Sequence, residues 1–103
     1  MVVEIIRYNI ATAQDTAFLE AYGKAQAQLA ASSHCLAYRL VRCVKERGRF
    51  VLTIHWDSAE GHRDGFRKSE HFPPFYALVA PFFGQIEEME HYEPTDIEWS
   101  RVG

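Results

Sequence analysis

Segments in the order β-α-β-β-α-β predict an α+β fold, a four-stranded antiparallel sheet with its helices on one face. Three observations carry this prediction. Runs at Val2–Ile10, Cys35–Val44 and Arg49–Trp56 alternate with the period of two that marks strands. A helical stripe of apolar residues separates the first run from the second, and only Lys45-Glu46-Arg47-Gly48 separates the second from the third. The order is the split βαβ arrangement of a ferredoxin-like sandwich. The 103 residues suffice for one domain, read as 1–94 and followed by a tail, 95–103.

The first strand has Val2, Ile6, Tyr8 and Ile10 on one face and Val3 and Ile5 on the other. Thr12, with Asp15 three residues on, is an acidic variant of the capping box. The helix it opens runs to about Ala31, with Phe18, Tyr22, Ala25 and Leu29 on its stripe. Ser32-Ser33-His34 is the exit. In the second strand Leu36, Tyr38, Leu40 and Val44 oppose Cys35, Ala37, Arg39, Val41 and Cys43, and the second set is apolar apart from Arg39. The short turn ends in Gly48, which can take positive φ. The third strand alternates Phe50, Leu52, Ile54 and Trp56 with Val51, Thr53 and His55.

Asp57 or Ser58 caps a second helix, with Glu60 placed for a capping box from Asp57. Gly61 and Gly65 weaken that helix, each by up to about 1 kcal/mol relative to Ala, and suggest an easily opened lid. Pro73 pushes Phe72 out of the helical region, and Pro73 or Pro74 starts a further helix carrying Phe75, Tyr76, Val79 and Phe82. Pro81 ends or bends it. Gln85–Glu93 is the fourth strand, and the tail can dock through Ile97 and Trp99. Helices on one face leave the other face open, yet strands one to three are apolar on both. A homodimer packing sheet to sheet is the economical solution.

Composition narrows the function classes. A net charge of −3 argues against general nucleic-acid binding. No run approaches the ~20 apolar residues of a membrane span, and Glu4 and Arg7 interrupt the apolar N-terminal run, unlike a signal peptide. The expected location is the cytoplasm. Eight basic residues against four acids fill Arg39–Lys68, whereas six acids and one Arg follow Gln85; this is surface variation or complementary pairing between subunits. Cys35 and Cys43, eight residues apart on one strand, would be separated by about 26 Å, too far for a disulfide.

The stretches Ser33-His-Cys-Leu-Ala-Tyr-Arg-Leu, His55-Trp-Asp-Ser-Ala-Glu-Gly-His, Ser69–Phe82 and Ile86-Glu-Glu-Met-Glu-His-Tyr92 give the chain its family likeness. It resembles the antibiotic biosynthesis monooxygenase family of dimeric α/β barrels over all but about its last ten residues. The resemblance implies a pocket between helices and sheet in each subunit, with no flavin or metal. The best-known members oxidise polycyclic phenols or quinols that themselves supply the electrons to oxygen. A second branch degrades haem with an Asn on strand one, a Trp on helix two and a His on the next helix. Those positions correspond here to Ile6, Gly65 and the neighbourhood of Tyr76, so none of the three residues is present.

Cofactor-free oxygenation needs a base for a phenol or quinol, a donor for the oxyanion and an aromatic pocket. His62, His71 and Tyr76 are the candidate catalytic residues; His suits the base role because its ordinary pKa lies near 6.5. Trp56, Tyr22, Phe75 and Arg39 are candidate substrate contacts. The structural alternatives are a partly exposed helix residue for His62, a turn residue for His71 and core aromatics for Tyr76, Trp56 and Tyr22. Arg39 is the candidate for an interface ion pair or an oxyanion clamp. His55 and His91 suit packing or intersubunit hydrogen bonds. No metal-type spacing, dinucleotide or phosphate loop, or nucleophile elbow occurs, so no cofactor is expected. Two functions remain open: a cofactor-independent monooxygenase of a small aromatic, quinol or polycyclic phenol, and a non-catalytic module binding a quinone or haem.

Overall fold

The computed structural model describes residues 1–102. Strands β1 (Val2–Asn9), β2 (Cys35–Arg42), β3 (Arg49–Trp56) and β4 (Ile86–Tyr92) form one antiparallel sheet in the order β2-β3-β1-β4. Helices α1 (Asp15–Ala31) and α2 (Phe72–Val79) cover one face, the ferredoxin-like arrangement. Phe18, Tyr22, Ala25 and Leu29 of α1 are buried, as the helical stripe requires. They meet an inner sheet face that carries Ile6 and Tyr8 from β1 and Phe50, Leu52, Ile54 and Trp56 from β3. No helix among the described residues is long and apolar enough to cross a membrane.

Several local expectations change. Thr12–Gln14 is a 3₁₀ turn, and α1 begins at Asp15 without a side-chain cap. Asp15 is drawn instead to Arg42, which donates to it at 2.8 Å. β2 ends at Arg42 rather than Val44. Gly48 does not take positive φ; an added Cβ there would lie 2.5 Å from the Ile10 carbonyl oxygen, so close approach of the chain explains the glycine. α2 starts at Phe72, one residue earlier than the proline restriction suggests. Pro73 and Pro74 occupy its first turn, where their missing N–H groups cost no helical bond. From Ala80 to Gln85 the chain tightens into 3₁₀ turns around Pro81.

The segment after β3 departs furthest from expectation. It is a π-helical turn over Gly61–Phe66, entered by Ser58, whose Oγ accepts the Gly61 N–H at 2.8 Å. Asp57 is not the cap. It pairs with His34 Nδ1 at 2.8 Å, and this pair lies against both glycines. A Cβ at Gly61 would collide with the Asp57 carboxylate, and one at Gly65 with the His34 ring. The glycines make room for a brace between the α1–β2 corner and the end of β3, which is a different role from loosening a lid.

The outer sheet face carries Val3, Ile5, Val51 and Val41, with Val41 half exposed in the single chain. The tail does not dock: Ile97 is 92 % and Trp99 76 % exposed. Trp99 instead lies beneath the Arg101 guanidinium.

The brace predicts a change of sign. Gly65→Ala gains helix propensity of up to about 1 kcal/mol but overpacks the His34 ring, typically a cost of about 1–3 kcal/mol. It should therefore destabilise the wild type and stabilise a His34→Ala background in urea unfolding. Equal effects in both backgrounds would show that the ring does not fill that space.

Candidate active site

A cavity of about 190 Å³ lies between the inner sheet face, the π-helical turn and α2. Its apolar wall is built by Ile6, Ile54, Trp56, Phe66, Phe72, Phe75 and Phe83 together with Tyr22 and Leu29 of α1. Edge-to-face contacts link Phe66 to Phe72 and to Phe75, so the wall is a packed aromatic lattice. Tyr22 also ties α1 to the sheet. Its hydroxyl shares a 2.5 Å hydrogen bond with Tyr8, and burial pushes the pKa of both phenols up.

Polar groups enter this wall at one end. Glu4, 3 % exposed, sits on the inner face of central strand β1 in register with His91 of β4. Trp56 Nε1–H donates to Glu4 Oε1 at 3.1 Å, which fixes the carboxylate. His62, 5 % exposed, is stacked on Trp56 with ring centroids 4.4 Å apart and an 11° interplanar angle. Its Nε2 lies 3.6 Å from Glu4 Oε1 and its Nδ1 2.8 Å from His91 Nε2.

The electrostatics follow from burial. Desolvation raises the Glu4 pKa, against the opposing pull of the Trp56 hydrogen bond and the Arg67 charge. Desolvation, aided by Arg67 and His91, lowers His62 to about 3. At neutral pH His62 is therefore an uncharged imidazole, one nitrogen a donor and the other an acceptor. Of the two buried groups, Glu4 is the one whose affinity for a proton is enhanced.

The structure brings His62, Trp56, Tyr22, Phe75 and Tyr76 to one cavity. Tyr76 stands at the mouth, 46 % exposed, against Phe72 and Phe83. His71 is not in the cavity wall; it precedes α2 and its Nδ1 contacts Gln28 Oε1 at 3.3 Å. Arg39 is on the outer sheet face, opposite Thr53 of β3, with no part in the cavity. Residue type and spacing do not single out Glu4, Arg67, Met89 or His91. A signal exists for Glu4, which shares strand parity with Ile6 and Tyr8. No local spacing announces Glu4, His62 and His91 as a set, yet one donor atom from each lies within 4.8 Å of the others.

The split-βαβ fold of this chain has known counterparts. The profile of the antibiotic biosynthesis monooxygenase family matches residues 1–77, and the chain belongs to that family. It is 25 % identical over 93 residues to the Bacillus subtilis protein YczJ, itself uncharacterized, covering 90 % of this chain and 98 % of YczJ. A Bordetella bronchiseptica protein assigned as an antibiotic biosynthesis monooxygenase superposes with a TM-score of 0.79 at 20 % identity, over 91 % of this chain and 96 % of that one. SnoaB, a cofactor-independent oxygenase of Streptomyces nogalater, was solved as a mutant and gives 0.76 at 14 % identity, over 93 % and 94 % of the chains. At such identities the structural likenesses establish the fold.

The burial of His62 predicts that it stays neutral from pH 7 down to about pH 4, visible in its ring ¹⁵N shifts; a midpoint near 6.5 would contradict the site as described. The linkage has a definite sign. Between about pH 6.5 and 3 the unfolded chain binds a proton at His62 that the folded chain refuses, so this group's contribution is lost as pH falls, at up to ~1.4 kcal/mol per unit. Glu4, raised in the folded state, acts oppositely. The slope should therefore be steeper in Glu4→Gln.

Proposed function

We propose that this chain is a cytoplasmic, cofactor-independent monooxygenase of a small, single-ring phenol or quinol. The observation that carries the reading is an aromatic cavity that ends on a buried carboxylate held by an indole N–H. Its volume of about 190 Å³ favours one ring, since an apolar cavity of about 150 Å³ already takes benzene. Family membership and the likeness to SnoaB support oxygenation as the class of reaction.

Glu4 is the base in this reading. Its raised pKa makes it a stronger base than an ordinary carboxylate, whereas His62, lowered to about 3, is a weak one. Glu4 takes the phenolic proton, and the Arg67 charge stabilises the phenolate. The phenolate passes one electron to O₂, and the resulting radical pair couples to a peroxide anion at a hydrogen-bearing ring carbon ortho or para to the oxygen. That anion takes up the first proton to become a hydroperoxide. Loss of that carbon's hydrogen as a proton with cleavage of the O–O bond leaves a quinone carbonyl, and the departing hydroxide takes up that proton as water. One oxygen atom enters the product and one leaves as water. The ring supplies all four electrons, so the reaction needs no external reductant.

Oxygen uptake and quinone formation with a panel of single-ring phenols and quinols test the proposal. Uptake should exceed that with anthrone, and Glu4→Gln should lower kcat by about 10²–10³-fold. Tight binding of these compounds without oxygen uptake would leave the alternative, a ligand-binding module.

A homodimer through the outer sheet face belongs to the same reading. The apolar Val3, Ile5, Val41 and Val51 on that face support it, with Arg39 on β2 and Glu90 on β4 at opposite edges available for complementary pairing. Light scattering at micromolar concentration should give twice the chain mass. Val41→Asp should weaken the dimer at least about tenfold through an unpaired buried charge, and a stable wild-type monomer would reject the arrangement.

A further inference from the structure

Glu4, His62 and His91 are contributed by β1, the π-helical turn and the edge strand β4, and they run from the cavity to the surface. His91 is exposed, and a groove lined by Glu4, His62, Arg67, Met89, Glu90 and His91 lies outside the cavity wall. We propose that these three side chains form a proton relay between the cavity and solvent. The proposal rests on reading Glu4 as the base, and it assigns functions to His62 and His91 that the oxygenation chemistry alone does not.

The geometry is that of a series. His62 meets Glu4 through Nε2 and His91 through Nδ1, on different edges of one ring. A neutral imidazole carries one proton and one lone pair on those two nitrogens, so it can accept on one edge while donating from the other. Trp56 holds the plane of the ring by stacking and orients the carboxylate through its N–H, keeping both contacts aimed. Arg67 and Glu90 are the other charged groups in the groove lining.

The steps balance. Protonated Glu4 donates to His62 Nε2 while His62 Nδ1–H passes its proton to His91 Nε2, and His91 releases its Nδ1 proton to water. Glu4 is again a carboxylate, and both histidines are left as their other tautomers. A proton kept on Glu4 would recombine with the phenolate, because a carboxylic acid is a stronger acid than a phenol. Moving it outward keeps the substrate ionised while it reacts with O₂. The proton required by the peroxide anion returns along the same path and restores both tautomers.

The same three donors could instead chelate a divalent cation, since two His and one carboxylate form a known ligand set. The series contacts through opposite ring nitrogens and the positive charge of Arg67 beside them favour the relay.

The test uses the ligand-free full chain. Exchange of the His62 ring N–H with water, followed by ¹⁵N-edited NMR, should be at least tenfold slower in His91→Phe and in His91→Gln. The second variant can hydrogen-bond but offers no second ring nitrogen. Unchanged exchange in both would overturn the relay. So would submicromolar binding of ZnCl₂ that is lost on substituting any one of Glu4, His62 or His91. In turnover of an accepted phenol, His91→Phe should lower kcat at unchanged KM, with recovery on adding imidazole; no such kcat loss would also overturn it. If wild type consumes no oxygen, the proposed activity fails, while the exchange rates still decide the relay.

Discussion

The structure turns on one unfavourable placement: a carboxyl group on the inner face of the central strand β1. Burying a carboxylate in an apolar wall costs several kcal/mol unless hydrogen bonds and opposite charge offset the lost water. Here the offset comes from neighbouring elements. β3 supplies the Trp56 N–H and Arg67 supplies positive charge, while the neutral His62 of the π-helical turn stacks on the Trp56 indole. Each of these is itself fixed by burial, stacking or backbone hydrogen bonds. The site is therefore a set of mutual constraints with Glu4 at its centre.

The local backbone follows from the same demand. π-helical turns are rare and concentrate at functional sites. This one begins three residues after the Ser58 cap and carries Gly61, His62 and Phe66, all buried, toward the sheet. Phe66 packs on Trp56 and on Phe75, while His62 stacks on the indole itself. One short segment thereby supplies both the polar end of the cavity and part of its aromatic wall. At the other end of the helix–sheet layer, Tyr8, Phe18, Tyr22 and Phe50 fill the space with their rings. The layer is solid there and hollow beside Glu4, which sets where the cavity lies.

Most of the fold was legible in the sequence because period-two and period-3.6 patterns report burial directly. The inner faces of β1 and β3 and the stripe of α1 fall where the alternation puts them. Of the polar end of the site, His62 alone was legible. Glu4 interrupts an apolar run and is readily taken for a surface charge, although its parity with Ile6 and Tyr8 points it inward. His91 can be paired with Glu4 only when the β1–β4 register is known, and that register shifts between Arg7 and Tyr8. The π-helical geometry leaves no periodic trace over six residues. Candidates chosen by residue type alone therefore included His71 and Arg39, which lie outside the cavity wall.

Gly65 shows how a small residue can make room for a neighbouring brace. In the haem-degrading branch of the family, whose residue set this chain lacks, the resemblance places a Trp at this position. Here even a methyl group would meet the His34 ring, which Asp57 holds in place and which is backed by the Asp57 N–H to His34 carbonyl bond at 2.9 Å. The space beside the π-helical turn is therefore occupied by a polar brace from outside the cavity. The indole of this site comes instead from the sheet, where Trp56 faces Glu4 and His62. An indole in that place holds the Glu4 carboxylate through its N–H and stacks on the His62 ring. The volume left beside it, about 190 Å³, is bounded by aromatic rings and closed at its polar end by the buried carboxylate.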